Sequence, residues 1–216
     1  MELKKTLKKA AGILDRLSPY PMLYSFVMSE EEKAIFDIKI RTSRNYLEFG
    51  LGGTTLRALK KSTAKVFVVE SSSDWISKIR QYALVRYFEG KRLFITHVDI
   101  GPTIEWGFPE SDHLQDRFPD YSSNIFLKID GRMIDLALID GRFRVACALK
   151  VVLECHLNNH LEILIHDFWN REHYHVLLEY LDVVARVDTL GVFSIKRDVD
   201  LKSALRDYEA YRYNPA

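Results

Sequence analysis

The chain has 216 residues, of which 47% are hydrophobic, and its 31 basic and 30 acidic residues leave a formal net charge of +1. This length fits one large domain, or a domain with a small helical extension, and the apolar content is enough for a sizeable core. The balanced charge gives no electrostatic reason to expect nucleic acid or an anionic membrane as a partner, so we expect neither.

Targeting segments and disulfides are not expected either. The sequence has no run of apolar residues long enough for a transmembrane helix, and Asp15 and Arg16 interrupt the apolar stretch near the N-terminus, which makes it a poor signal peptide. Cys147 and Cys155 lie in a segment with helical character, and their spacing along a helix is too long for an undistorted disulfide. We therefore expect buried thiols in a cytoplasmic protein.

Residues 1–43 have mainly helical character and precede the first predicted strand. We expect them to form an N-terminal helical extension, ahead of a main domain that covers residues 44–216. The sequence leaves open whether this extension caps a functional site or mediates formation of a homodimer.

Short apolar runs, rich in β-branched and aromatic residues and bounded by Gly, Asp or Ser, predict five strands. These strands are Tyr46–Phe49, Val66–Glu70, Leu93–Val98, Ile134–Ile139 and Leu161–Ile165. Their near-continuous hydrophobicity is typical of strands that are covered on both faces, as in a parallel sheet.

Segments with helical spacing of apolar residues lie between or after these strands. The predicted helices are Thr54–Lys61, Asp74–Phe88, Arg144–Asn158 and Arg171–Leu181. Alternation of strands and helices predicts right-handed crossovers and a doubly wound α/β fold with helices on both faces of the sheet.

The last part of the chain departs from this alternation. The strand-like runs Val183–Thr189 and Val192–Lys196 are separated only by Leu190 and Gly191. A link of this length cannot hold a crossover helix, so the two runs are predicted to form an antiparallel hairpin.

Residues 100–130 form a long connection, and connections of this length are commonly lids or substrate loops. The connection carries Trp106 and Phe108. We expect both rings to be buried against the sheet, with stacking on a planar or sugar acceptor as the alternative.

The segment Glu48–Thr55 follows a predicted strand and opens a predicted helix. Its three glycines let the backbone turn sharply and approach a ligand without a Cβ clash, and the amides at the start of the helix would point into the crevice. No Lys-Ser/Thr pair follows the glycines, so the loop is a poor cradle for a nucleoside triphosphate. A tight turn without a ligand is the structural alternative.

Acidic residues end the next two predicted strands. Glu70 can accept hydrogen bonds from both ribose hydroxyls of an adenosine ligand, although it can also serve as a charge at a helix N-terminus. Asp99 can accept a hydrogen bond from an adenine amino group while Ile100 packs on the ring; a turn aspartate before Gly101 is the competing interpretation.

The run Glu48–Thr55, followed by Glu70 and Asp99, resembles the cofactor-binding half of the class I S-adenosylmethionine-dependent methyltransferases, and the terminal hairpin resembles their last two strands. The resemblance covers roughly residues 44–197. It implies a seven-stranded sheet with six parallel strands and one antiparallel strand. It also implies S-adenosylmethionine as the cofactor, with its methionine part against Gly50 and Gly52. The residues expected on the cofactor side are Glu48, Gly50, Gly52, Gly53, Thr54, Thr55, Glu70, Ser71, Trp75, Asp99 and Ile100.

The fourth and fifth predicted strands end in polar residues that would face the substrate side of the site. These candidate catalytic residues are Asp140, Arg142, His166 and Asp167. His166 has the intrinsic pKa of a general base, and Asp140 or Asp167 can orient it or act directly. Arg142 or Arg144 can clamp an anionic substrate. The alternative is an Asp–Arg ion pair beside a histidine that hydrogen-bonds to the backbone.

Asp140 and Asp167 also resemble the metal-binding pair of catechol-type O-methyltransferases. That family follows its second aspartate with an asparagine ligand, whereas this chain has Phe168, so no metal is expected.

The leading hypothesis is therefore an O-methyltransferase that acts on a small molecule or a glycan. One alternative is a non-catalytic module that binds an adenosine ligand. Another is a nicotinamide-dependent oxidoreductase, although Thr55 occupies the third glycine position of its fingerprint.

Overall fold

The computed structural model describes the backbone of residues 2–216 and the side chains of residues 10–216; Met1, which the predicted extension includes, lies outside the described residues. Seven strands form one sheet: β1 (Asn45–Phe49), β2 (Lys65–Glu70), β3 (Leu93–His97), β4 (Leu136–Ile139), β5 (Glu162–Ile165), β6 (Leu181–Val187) and β7 (Leu190–Ile195). Their order across the sheet is β3-β2-β1-β4-β5-β7-β6.

The first five strands pair in parallel, and β7 pairs antiparallel with both β5 and β6. Six strands therefore run in one direction and β7 alone runs in the other. This arrangement confirms the predicted mostly parallel, seven-stranded sheet with a C-terminal antiparallel hairpin, and the predicted strand ends differ from the observed ones by no more than two residues.

Helices surround the sheet. They are α1 (Glu2–Leu17), α2 (Glu30–Thr42), α3 (Gly53–Lys61), α4 (Ser73–Ile79), α5 (Ala83–Phe88), α6 (Phe118–Ser123), α7 (Arg144–Cys155) and α8 (Leu201–Tyr211). Short 3₁₀ helices cover Glu105–Gly107, Gln115–Arg117, Asn124–Leu127, Gly131–Met133 and Glu172–Glu179.

Two apolar cores lie on opposite faces of the sheet, because successive side chains of a strand alternate between faces. On β1, Tyr46 packs into the core formed with α2, α3, α4 and α5, while Leu47 packs into the core formed with α6, α7 and α8. Both residues are fully buried, as the near-continuous hydrophobicity of the strand predicts.

The predicted helix Asp74–Phe88 is wrong as a single element, because Tyr82 has an extended backbone that separates α4 from α5. The Tyr82 side chain is buried, and its hydroxyl donates a hydrogen bond to the Leu23 carbonyl at 3.3 Å. The packing of Tyr82 therefore prevents one continuous helix, although the spacing of the apolar residues around it predicts one.

The predicted α-helix Arg171–Leu181 is a 3₁₀ helix that ends at Glu179, and Leu181 opens β6. The buried residues Tyr174, Leu177 and Tyr180 recur at intervals of three, which matches the three residues per turn of a 3₁₀ helix.

The hairpin turn lies two residues earlier than predicted. Leu190 and Gly191 belong to β7, and Asp188 and Thr189 form the link. Asp188 has a φ of 49°, and aspartate tolerates this left-handed conformation better than most residues do.

Helix α8 was not anticipated from the sequence, although Asp200 is a typical N-cap and accepts hydrogen bonds from the backbone N–H groups of Lys202 and Ser203. The helix packs against α7. Cys147 and Cys155 lie on α7 as buried free thiols, as their spacing predicts. No helix in the described part of the chain combines the length and the apolar content that crossing a bilayer requires.

Candidate active site

A cavity of about 780 Å³ opens at the carboxyl edge of the sheet, beside the neighbouring strands β1 and β4. The chain leaves β1 into α3 on one face and leaves β4 into α7 on the other. Two connections that diverge in this way leave a crevice between them, and ligands of open α/β sheets bind at such a point.

The loop that follows β1 approaches the loop that follows β4 very closely. Gly50 has a φ of 105°, and a Cβ atom there would lie 2.9 Å from the backbone of Gly141. A Cβ atom on Gly141 would in turn overlap the Tyr121 hydroxyl. Both positions therefore require glycine for this floor of the cavity to form.

Residues that precede α2 also reach the cavity. Ser25, Phe26 and Val27 line it, and a Cβ atom on Gly53 would overlap the Ser25 carbonyl oxygen. The segment 18–29 thus lies directly against the start of α3.

Glu70, at the end of β2, lines the cavity although it is only 8% exposed. One carboxylate oxygen accepts the N–H of Leu51 at 3.1 Å, and the other accepts those of Ser71 at 2.7 Å and Ser72 at 2.8 Å. Burial raises the pKa of Glu70 in spite of these hydrogen bonds. The carboxylate thus ties the glycine loop to the start of α4.

The cofactor-side residues divide into two groups. Those that line the cavity are Gly50, Gly52, Gly53, Thr54, Glu70, Ser71 and Trp75. Those that do not are Glu48, Thr55, Asp99 and Ile100.

The expectation that Glu48 and Thr55 face the ligand needs correction, because their side chains bond to each other beneath the loop. The hydroxyls of Thr54 and Thr55 donate hydrogen bonds to the Glu48 carboxyl, and the N–H of Gly52 donates to Thr55 Oγ1 at 3.1 Å. Burial raises the pKa of Glu48 to about 8. Glu48 and Thr55 therefore hold the glycine loop in place without lining the cavity.

Asp99 and Ile100 likewise lie away from the cavity. The Asp99 carboxylate accepts the N–H of Gly101 at 3.0 Å and pairs with Arg117 at 3.1 Å. Ile100 is buried in the apolar core. The turn interpretation of Asp99 therefore describes its contacts in this structure better than the adenine interpretation.

On the opposite side of the cavity, His166 faces carboxylates through both ring nitrogens. Nδ1 lies 2.9 Å from Asp140 Oδ1, and Nε2 lies 3.5 Å from Glu32 Oε2. Burial disfavours the charged imidazolium, but the hydrogen bond and the charge of Asp140 outweigh burial and raise the pKa of His166.

Glu32 was missed in the sequence. Ser29 and Glu32 form a capping box at the start of α2, and that pattern predicts a helix N-terminus rather than a site. The Glu32 carboxylate also accepts the N–H groups of Thr189 and Leu190, at 3.1 and 3.0 Å. It thereby joins the N-terminal extension to β7 and to the histidine.

Arg144 links the two aspartates that end β4 and β5. Its guanidinium lies 3.2 Å from both Asp140 and Asp167, and Arg171 lies 3.0 Å from Asp167. Burial opposes ionisation of Asp167, but the neighbouring positive charges, His166 first, outweigh it and lower its pKa. The alternative Asp–Arg ion pair is therefore present, yet the histidine bonds to Asp140 rather than to the backbone.

The Asp140 and Asp167 carboxylates are thus committed to cationic side chains. Within the described residues, no group of three or more His, Cys, Asp or Glu side chains is arranged to hold a metal ion.

Arg142 and the connection 100–130 complete the wall. The guanidinium carbon of Arg142 lies 4.1 Å from the centre of the Phe108 ring, and burial lowers the pKa of Arg142. The expected burial of Trp106 is wrong, because the residue is 75% exposed at the cavity wall, where its backbone has a φ of 61°. Phe108 is half-buried.

Neither a protein-family model nor a curated protein sequence matches the chain. Among solved structures, a methyltransferase-like protein from Silicibacter pomeroyi is similar, with a TM-score of 0.78 and 27% identity over 89% of this chain and 98% of that one. A methyltransferase from Podospora anserina with S-adenosylhomocysteine bound has a TM-score of 0.54 and 16% identity over 79% of this chain and 80% of that one.

The strand order, the antiparallel β7 and these similarities define the fold class. The chain has the class I, Rossmann-like methyltransferase fold.

Proposed function

We propose that the protein is an S-adenosylmethionine-dependent methyltransferase that methylates a hydroxyl group of a small molecule or a glycan. The observation that carries this proposal is the joint position of two sets of residues on one cavity. The glycine loop and Glu70 line one side, and the Asp140–His166 pair lines the other.

The cofactor fits the first side. The backbone of Gly50 and Gly52 leaves room for the methionine part, and Oε2 of Glu70, which accepts only the N–H of Leu51, retains a lone pair that can accept a hydrogen bond from a ribose hydroxyl. Trp75 lines the same side, and its indole N–H bonds to the Leu51 carbonyl. The Podospora anserina methyltransferase, which has the same fold, is S-adenosylhomocysteine-bound.

The second side supplies the chemistry that the acceptor needs. The sulfonium of the cofactor activates the methyl group, so the protein must align the acceptor hydroxyl and remove its proton. In our proposal, Asp140 accepts the Nδ1–H of His166, so Nε2, which faces Glu32, carries no proton and can take the one from the acceptor. The resulting imidazolium is stabilised by Asp140 at 2.9 Å, Glu32 at 3.5 Å and Asp167 at 4.0 Å.

Isothermal titration calorimetry with S-adenosylhomocysteine tests the cofactor. We expect the wild-type protein to bind it, and Glu70→Ala to weaken binding by about 1–3 kcal/mol, the scale of a hydrogen bond to a charged group. Glu209→Ala, which changes an exposed glutamate of α8, is the control. NAD is titrated in parallel, because it tests the oxidoreductase alternative.

No binding of S-adenosylhomocysteine, or tight binding of NAD in its place, would contradict the methyltransferase proposal. Equal affinity of Glu70→Ala and wild-type protein would remove the ribose role of Glu70. Cofactor binding without methyl transfer to any acceptor hydroxyl would favour the non-catalytic module.

A further inference from the structure

We propose that Arg142 binds an oxyanion of the methyl acceptor, so that the acceptor class is hydroxylated molecules that carry a carboxylate or a phosphate group. This inference rests on the proposed function, because it names the substrate class of the same cavity.

Arg142 is a buried cation, and two of its three guanidinium nitrogens have no hydrogen-bond partner among the described residues. The residue is 5% exposed and lines the cavity, and the two nitrogens are Nε and Nη1. Burying a cation without a compensating anion is costly, so a folded protein retains such a group where a ligand supplies the charge.

The two aspartates that end β4 and β5 are already paired with other side chains. Asp140 bonds to His166 and Arg144, and Asp167 pairs with Arg144 and Arg171. Arg144 and Arg171 add positive charge beside Arg142, and the groups that favour its charged form are the phenols of Tyr174 and Tyr121. Three arginines, Arg142, Arg144 and Arg171, thus stand against the two carboxylates of Asp140 and Asp167, and an anionic ligand can neutralise the remaining positive charge.

The surroundings of Arg142 also suit a planar oxyanion with an apolar remainder. The Phe108 ring, 4.1 Å from the guanidinium carbon, supports the side chain by a cation–π contact and limits its orientation. The fork of N–H donors matches the two oxygens of a carboxylate or phosphate. Trp106 and Ile104 are exposed on the same wall and offer apolar surface for the rest of the acceptor.

The cofactor has a carboxylate of its own, and the test separates these two sources of an oxyanion. Protein saturated with S-adenosylhomocysteine is titrated calorimetrically with phenyl phosphate, benzoate and the neutral analogue benzamide. We expect both anions to bind at least tenfold more tightly than benzamide. Arg142→Met should abolish this preference, and Arg142→Lys, which keeps the charge but loses the fork, should retain part of it.

We expect Arg142→Met to bind S-adenosylhomocysteine within twofold of the wild type. A tenfold loss would instead assign Arg142 to the cofactor carboxylate and overturn the proposal. Unchanged anion preference in Arg142→Met would also overturn it. Because cofactor affinity is measured on the same samples, failure of the methyltransferase proposal is recognised separately, as an absence of S-adenosylhomocysteine binding.

A thermal melt of the ligand-free protein distinguishes a binding role from a structural one. Methionine has a similar length and carries no charge, so we expect the melting temperature of Arg142→Met to equal or exceed that of the wild type. A clear decrease would mean that Arg142 holds the fold together, and it would overturn the proposal. Arg132→Gln, which changes an exposed arginine paired with Asp130, should leave all readouts unchanged.

Discussion

At the residue scale, the site depends on how His166 is held. Asp140 fixes Nδ1 at 2.9 Å and raises the pKa of the ring, so the histidine binds a proton more strongly than an exposed one does. A stronger base removes the acceptor proton more readily once it is neutral. Below its pKa, however, the ring already carries a proton and cannot accept another.

Methyl transfer should therefore increase with pH through the raised pKa of His166. Asp140→Asn removes the negative charge that raises this pKa, so the midpoint of the rate profile should shift to lower pH.

His166→Ala should lower the rate by at least about 100-fold, the contribution typical of a positioned base. Initial rates from pH 5 to 9 at saturating cofactor test both expectations, with Asp182→Asn on the exposed face of β6 as the control. Identical midpoints in Asp140→Asn and the wild type would contradict the assigned base.

Glu48 is a second buried acid, and its effect should be on stability. Its pKa is about 8 in the folded protein against an ordinary 4.5, so between these values the folded state binds more protons than the unfolded state. The free energy of unfolding should then decrease as pH rises, by at most about 1.4 kcal/mol per pH unit from this group.

Glu48→Gln is expected to remove this dependence, because an amide does not titrate. Denaturant unfolding at pH 5, 6, 7 and 8 compares the slopes of the two proteins. Parallel curves for the variant and the wild type would show that Glu48 does not carry the raised pKa. Glu154→Gln, on the partly exposed surface of α7, is a suitable control.

At the scale of elements, the site is assembled by close contacts between loops that are distant in sequence. The turn after β1 contacts the turn after β4 through Gly50 and Gly141, and the segment 18–29 contacts the start of α3 at Gly53. Each contact is possible because glycine has no Cβ atom. The glycines that form these turns therefore also determine which elements can pack together.

Gly53→Ala should displace the segment 18–29, because its Cβ atom would overlap the Ser25 carbonyl oxygen. Gly52→Ala is a matched control: its backbone is extended, with a φ of −175°, and a Cβ atom there would meet no atom within 4 Å. Limited proteolysis of the ligand-free proteins should cleave the segment faster in Gly53→Ala than in Gly52→Ala or the wild type. Equal cleavage of all three would contradict the close contact.

At the scale of the whole molecule, the strand order decides where the site lies. The connections that follow β1 and β4 lie on opposite faces of the sheet, so a crevice opens between these neighbouring strands. Residues from the ends of β1, β2, β4 and β5 line this crevice. Glu32, on α2, contacts His166, which lines this crevice, although Glu32 lies more than 100 residues earlier in the sequence. The sheet thus brings together groups that no local pattern relates.

The sequence by itself determined the strands, the terminal hairpin, the glycine loop and the polar ends of the strands. Apolar runs, glycines and short links constrain the backbone locally, and the polar residues Glu70, Asp140 and His166 stand at fixed positions after those runs. The break at Tyr82 and the 3₁₀ form of Glu172–Glu179 were not evident, because both follow from packing against distant residues.

Only the tertiary structure decided which side chains face the cavity. Glu48 and Thr55 belong to the predicted loop but bond to each other beneath it, Asp99 pairs with Arg117, and Glu32 contacts the cavity residue His166 from another element. The tertiary structure also buries Arg142 beside Phe108, where its Nε and Nη1 atoms find no hydrogen-bond partner in the part of the chain that the structure describes. The physical reason is that the direction of a side chain, its burial and its charge partners depend on contacts between elements, which a local sequence pattern does not contain.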